Sequence, residues 1–286
     1  MPGSDSLFAG AVPDIYDRLL VPALFAPFAA DLALRVAALE PYRVLELAAG
    51  TGAATRALAE RLPAQARIVA TDLNPGMLEV AARHGPDPRI HWQQADAMAL
   101  PFEDRVFDAV ICQFGVMFLP DKAQGLREVR RVLVPGGTLM FNVWDRLAVN
   151  DFAQATTEAL AAVFPGDPPR FMARTPHGYS SLDKMYADVE AAGLADFAAA
   201  VVNHTGRMPS ARDLAIGFCQ GTPLRGEIEE RAPGRLDEVT EAVVPMLRAR
   251  FGPGRIEGRL RAIVASAVRH DDGPGHRAAP FLRGEG

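Results

Sequence analysis

The chain has 286 residues, enough to bury a full core as one large domain or as a domain with an appended cap. Its 49% hydrophobic and 23% charged residues are those of a soluble globular protein. With a net charge of −5 and arginines scattered rather than blocked together, the chain shows no footprint of a nucleic-acid surface. Cys112 and Cys219 are its two cysteines, without C-x-x-C or zinc spacing, so no metal site is expected. Met1 to Phe8 lacks a basic segment followed by an apolar run, which argues against a signal peptide. Leu19 to Leu39 is apolar-rich but interrupted by Pro22, Pro27, Asp31 and Arg35, which argues against a membrane span. The expected location is the cytoplasm.

In chain order, residues 1–11 read as frayed, and Pro13 to Glu40 as helical pieces. Val44 to Leu47 is a short apolar strand, followed by Gly50, Gly52 and a helix from Ala53 to Leu62 with apolar residues at every fourth position. Strand, glycine turn and helix begin a nucleotide-binding unit: glycines let a ligand approach the backbone, and the helix start offers N–H donors. Thr51 is a candidate helix cap. The third glycine of a dinucleotide fingerprint is absent, because Thr55 holds its place. Arg67 to Asp72 is a second strand ending in an acid placed to accept from ribose hydroxyls, and Asn74-Pro75 reads as a helix start.

Ile90 to Ala95 is a third strand before Asp96, and Phe107 to Gln113 a fourth. Asp121 caps a helix that Pro135-Gly136-Gly137 stops, leading into a fifth strand, Thr138 to Val143. Helices are expected over Asp151 to Phe164 and Ser181 to Gly193, and a sixth strand over Phe197 to His204. Residues 209–254 read as helical, with Pro245 expected to kink or split the last helix, and Gly258 to Val268 as the final strand.

The segments VLELAAGTG (44–52), ATDLNPGML (70–78), QQADAMALPF (93–102), FDAVICQFGVMFLPD (107–121) and REVRRVLVPGGTLMFNVWD (127–145) together resemble the class I S-adenosylmethionine-dependent methyltransferases, in particular the small-molecule branch labelled type 11. The resemblance is strong over residues 12 to 145. It implies a Rossmann-like α/β fold, a seven-stranded mostly parallel sheet with helices on both faces and a helical insert before the last strand. It implies a leader at 1–40, a core at 41–208 and 255–269, a lid at 209–254 and a loose tail at 270–286.

It also implies S-adenosyl-L-methionine as cofactor. Position by position it places Tyr16, Glu46, Ala48, Gly50, Gly52, Asp72, Leu73, Met77, Asp96, Ala97 and Gln113 around that cofactor. Glu46 would brace the glycine loop and the amino group of the methionine part, Asp72 the ribose and Asp96 the adenine. Where many relatives acting on adenine or glutamine nitrogens carry N/D-P-P-Y/F, this chain reads Gln-Phe-Gly-Val after the fourth strand, which points to a small-molecule acceptor.

The cofactor supplies an activated methyl, so the protein chiefly positions, and a base is required only where the acceptor must lose a proton. His177 is the candidate for that base, with Tyr179, His204 and Tyr16 behind it. Phe114, Met117, Phe118, Phe171, Met172 and Phe218 would suit an apolar acceptor pocket. The expected function is methyl transfer to O, N or C of a small molecule, by a protein that could form a homodimer. The alternatives are a non-enzymatic binding protein of the same fold and a nicotinamide-dependent oxidoreductase.

Overall fold

A computed structural model of the protein describes residues 10–270. The expected fraying of the first residues and the loose tail thus lie largely outside the described residues. Seven strands form one sheet in the order β3-β2-β1-β4-β5-β7-β6: β1 Arg43–Leu47, β2 Arg67–Asp72, β3 Ile90–Gln94, β4 Phe107–Gln113, β5 Leu133–Trp144, β6 Ala195–Met208 and β7 Ile256–Val268. Strands β3, β2, β1, β4 and β5 pair in parallel, and β7 runs antiparallel to both β5 and β6, so β7 alone is reversed. The expected seven-stranded, mostly parallel sheet is present. The chain order reverses at β1, which puts a crevice outside the carboxyl ends of β1 and β4, where open parallel sheets bind ligands.

Before β1 the chain makes a short helix α1 (Val12–Ile15), a π-helical stretch Tyr16–Phe25, and α2 (Ala26–Ala37), without a break. This departs from the expected interruption at Pro22 and Pro27. Pro22 sits inside the wide π-helical turn, which closes with Ala26 N–H donating to the Val21 carbonyl, five residues back. Pro27 occupies the first turn of α2, where a missing N–H costs nothing. Val12–Ala37 is therefore long and apolar enough to cross a membrane by length and composition. In this fold, however, it is a core helix, with Phe28, Leu32, Ala33 and Val36 fully buried against the sheet.

Helices α3 (Ala53–Arg61), α4 (Pro75–Arg83), α5 (Lys122–Val132), α6 (Asp151–Val163), α7 (Phe171–Arg174) and α8 (Leu182–Ala191) follow, and α9 (Ala211–Gln220), α10 (Leu224–Arg231) and α11 (Leu236–Phe251) lie between β6 and β7. The caps of α5, α8 and α9 form as side-chain bonds: Asp121, Ser181 and Ser210 each accept from the backbone N–H three residues on.

Two local expectations fail, and the Asn74-Pro75 helix start holds in position but without a side-chain cap bond. Pro245 does not split α11, which runs as one 16-residue helix. Asn74 stands at the start of α4, but its side chain turns to the Asp72 carboxylate instead of the helix. Pro135-Gly136-Gly137 does not precede β5 but lies within it, where Gly136 at φ +80° lets the strand bulge between its pairings with Phe107 and Ala109.

Candidate functional site

A cavity of about 560 Å³ opens at the carboxyl ends of the strands. Its walls bring together ten of the twelve residues expected to form the site: Tyr16, Ala48, Gly50, Asp72, Leu73, Met77, Asp96, Ala97, Gln113 and His177.

One end of the cavity, where the cofactor is expected, is built on four strand ends. After β1 the backbone turns through Ala48 at φ +51° and Gly50 at φ +57°. A Cβ on Gly50 would meet no atom within 4 Å, because it would project into open space. The carboxylate of Asp72, at the end of β2, holds this turn in place. Its Oδ2 accepts from Gly50 N–H at 2.8 Å and its Oδ1 from Asn74 N–H at 2.8 Å. Burial raises the Asp72 pKa, while these N–H donors pull it down. Asp96 follows β3 at the rim, one oxygen accepting from Met98 N–H. Gln113 ends β4, and its buried Oε1 has no partner among the described residues. Tyr16 comes from the π-helical stretch, and its hydroxyl pKa is raised, first by burial and then by nearby Asp72 and Asp17.

Two expected residues stand outside the cavity wall. Glu46 is fully buried one layer below, where Thr55 Oγ1 donates to its Oε2 at 2.5 Å, and burial pushes its pKa up to about 8. It ties the strand to the helix after the glycine turn, rather than facing a ligand. Gly52 is required by packing. At φ +81° it starts α3, and a Cβ there would stand 2.6 Å from Trp92 Cη2. Gly52 also displaces Thr51 as the cap of α3, and the buried Thr51 hydroxyl has no partner among the described residues. Thr55, where a dinucleotide site would have its third glycine, is buried and bound to Glu46. That contact disfavours the nicotinamide alternative.

The opposite end of the cavity is apolar. The π-helical stretch contributes Leu20, Leu24 and Phe25; Phe118, Phe171, Met172 and Phe218 join as expected, whereas Met117 is buried elsewhere. Trp144, at the carboxyl end of β5, and Phe152, on α6, were not expected. Trp144 stacks on Phe114 with ring centres 4.0 Å apart and planes 14° off parallel, and Phe25 meets both edge-on. Trp144 could have been found by the rule that located Gln113, since it is the last residue of its strand.

His177 is buried in this end, and its Nδ1 lies 2.7 Å from the backbone carbonyl of Asp145. A carbonyl can only accept, so Nδ1 bears the hydrogen and Nε2 keeps its lone pair. Burial lowers the His177 pKa to about 4, so the ring is neutral near pH 7. Of the other candidate bases, Tyr16 lines the cavity, whereas the Tyr179 hydroxyl donates to Asp188 and His204 packs edge-on against Phe28, and neither of these two lines it.

Residues 44–137 match the family model described as "Methyltransferase domain". Over that segment the chain is similar to a methyltransferase domain. The demethylmenaquinone methyltransferase of Deinococcus radiodurans is 36% identical over 162 residues, which is 55% of this chain and 64% of that protein. The UbiE ubiquinone/menaquinone biosynthesis C-methyltransferase of Hahella chejuensis is 37% identical over 125 residues, 42% of this chain and 47% of that protein. The chain thus spans about half to two thirds of the length of these curated relatives. The YcgJ protein of Bacillus subtilis shares the fold, with a TM-score of 0.55 at 20% identity over 86% of this chain and 99% of that one. The methyltransferase-domain match covers Ala48, Gly50, Asp72, Asp96 and Gln113 but not Tyr16, and Phe25, Trp144, Phe152, Phe171, His177 and Phe218 all lie outside it.

Proposed function

We propose that the protein transfers a methyl group from S-adenosyl-L-methionine to a small molecule bound in the apolar end of the cavity. The observation that carries this reading is the cofactor end itself. Two acids stand at the ends of adjacent strands, an open turn follows β1, and a buried amide oxygen on Gln113 lacks a partner among the described residues. These groups fit a ligand with a ribose, an adenine and an ammonium group. When bound, S-adenosylmethionine supplies a methyl on a sulfonium, already activated for displacement.

The protein's part follows from the geometry. Asp72 fixes the glycine turn and offers its remaining lone pairs to ribose hydroxyls, and Asp96 accepts from the adenine side. Leu73, Met77 and Ala97 flank the adenine; Ala48, Gly50 and Gln113 face the methionine part, with Glu46 and Gly52 supporting the turn from behind. The aromatic walls exclude water from the reacting centre. An acceptor that must lose a proton gives it to Nε2 of His177. Helices α9 to α11 act as a lid, since Phe218, Thr222 and Pro223 close the acceptor end. The two unpaired, buried cysteines support a cytoplasmic placement.

The names of the relatives make demethylmenaquinone the first acceptor to try. The test is incubation with methyl-labelled S-adenosylmethionine and a panel of uncharged small molecules headed by demethylmenaquinone reduced to its quinol, whose ring carbon is the nucleophile. Label in an extractable product, with stoichiometric S-adenosylhomocysteine, is the expected result. Absence of both with every acceptor favours a binding protein that kept the fold.

A further inference from the structure

We infer that His177 is the acceptor-reading residue, and that the acceptor is an uncharged aromatic compound whose hydroxyl donates a hydrogen bond to Nε2 of that ring. The inference deepens the methyl-transfer reading and rests on it for the identity of the cofactor end alone.

Charge is the first argument. The only acids lining the cavity are Asp72 and Asp96, both at the cofactor end, and no lysine or arginine lines it among the described residues. A carboxylate or ammonium on the acceptor would be buried there with no counter-charge from the protein at that end, which is unfavourable.

Shape is the second. The acceptor end presents ring surfaces from Phe25, Trp144, Phe171 and Phe218. The Trp144–Phe114 stack, locked edge-on by Phe25, fixes the orientation of that wall before anything binds. Rings held this way favour offset or edge contacts with another ring.

Hydrogen-bonding capacity is the third. The polar side chains of this end are mostly occupied. Asn150 donates from Nδ2 to the carbonyls of Asp145, Arg146 and Arg261, and accepts at Oδ1 from Arg261 N–H. The Thr222 hydroxyl donates to the Phe218 carbonyl and accepts from Leu224 N–H. His177 differs. Its Nδ1 is held by Asp145, whose carbonyl is itself fixed by Asn150, and its Nε2 has no partner among the described residues. The ring is therefore presented as a fixed acceptor, and a ligand that brings no donor leaves it unpaired. A site built this way rejects the analogue lacking the hydroxyl.

The test measures equilibrium binding to the full chain loaded with S-adenosylhomocysteine, using four probes of one size: 2-naphthol, naphthalene, 2-naphthoate and the ammonium of 2-naphthylmethylamine. We expect 2-naphthol to bind about tenfold more tightly than naphthalene, the scale of one buried hydrogen bond, and both charged probes to bind more weakly than naphthalene. In His177→Phe the naphthol preference falls to about onefold while naphthalene affinity is kept. In His177→Gln, which retains an acceptor oxygen, part of the preference returns. Equal binding of naphthol and naphthalene, a charged probe binding best, or a preference that survives in His177→Phe overturns the inference. Thermal stabilisation by S-adenosylhomocysteine, read on each variant, shows that the fold and cofactor end are intact. Its absence from the wild type would sink the methyl-transfer reading instead, and the four probes can still be compared on the unloaded protein.

Discussion

The Asp72 carboxylate accepts from Gly50 N–H at 2.8 Å across 22 residues of chain. The acid proposed to meet ribose hydroxyls is therefore also the clamp on the glycine turn. Asp72→Asn puts an amide N–H against one of two donors, Gly50 N–H or Asn74 N–H, and removes the charge from the other contact. We expect cofactor affinity to fall at least tenfold and stability to fall by about 1–3 kcal/mol. Titration calorimetry with S-adenosylhomocysteine, alongside denaturant melts, reads both.

The two glycines of the turn separate binding from stability. Gly50→Ala, at φ +57° with open space beside it, should cost about 1–2 kcal/mol of strain and project a methyl into the cavity. Its larger effect is weakened cofactor binding. Gly52→Ala adds a clash with Trp92 to a φ of +81°, so its larger effect is on folding. If Gly52→Ala melts at the wild-type temperature, the packing role assigned to Gly52 is wrong.

Glu46 makes stability depend on pH. Its folded pKa, pushed up to about 8 by burial, lies above its unfolded value, so the folded state binds the proton more tightly. The resulting stabilisation is present at low pH and declines as pH rises from about 4.5 to about 8, with a slope of at most about 1.4 kcal/mol per pH unit. Glu46→Gln should flatten urea-denaturation stability across that window. A wild-type profile already flat between pH 5 and 8, matching the variant, would show that Glu46 is not buried as a neutral acid.

His177 should act as a base well below the usual histidine range. Burial lowers its pKa to about 4, with the Asp145 contact opposing the shift, and the Asp145 carboxylate is paired with Arg261. Where turnover requires neutral His177, the acid limb of kcat/KM should fall near pH 4 rather than 6.5. A limb at 6.5 that disappears in His177→Gln would mean the ring is solvated.

The cavity end proposed for the cofactor was largely legible from sequence as a place in the fold, because its determinants are local. Strand β4 runs from Phe107 to Gln113 as the apolar pattern predicts, and Gly50, Asp72 and Asp96 each follow directly from a strand end. Gly52 was in the right motif with the wrong cause, since its neighbour Trp92 comes from β3 and only tertiary packing brings it there. The acceptor end was legible only in part. Phe25, Trp144, His177 and Phe218 are far apart in the chain and share no motif. Phe25 in particular depends on a π-helical turn that lets the chain run through Pro22, where a proline ordinarily signals a break. Trp144 and Phe152 looked like core because apolar spacing is the same for a residue that fills a core and one that lines a cavity.

Thermal unfolding with S-adenosylmethionine, S-adenosylhomocysteine and NAD(H) in parallel tests the cofactor end most directly. At a hundred times its dissociation constant, a ligand that binds the folded state stabilises it by about 2.7 kcal/mol. We predict stabilisation by the first two, none by NAD(H), and loss of the effect in Asp72→Ala. Stabilisation by NAD(H) alone, or by none of the three, would contradict the account.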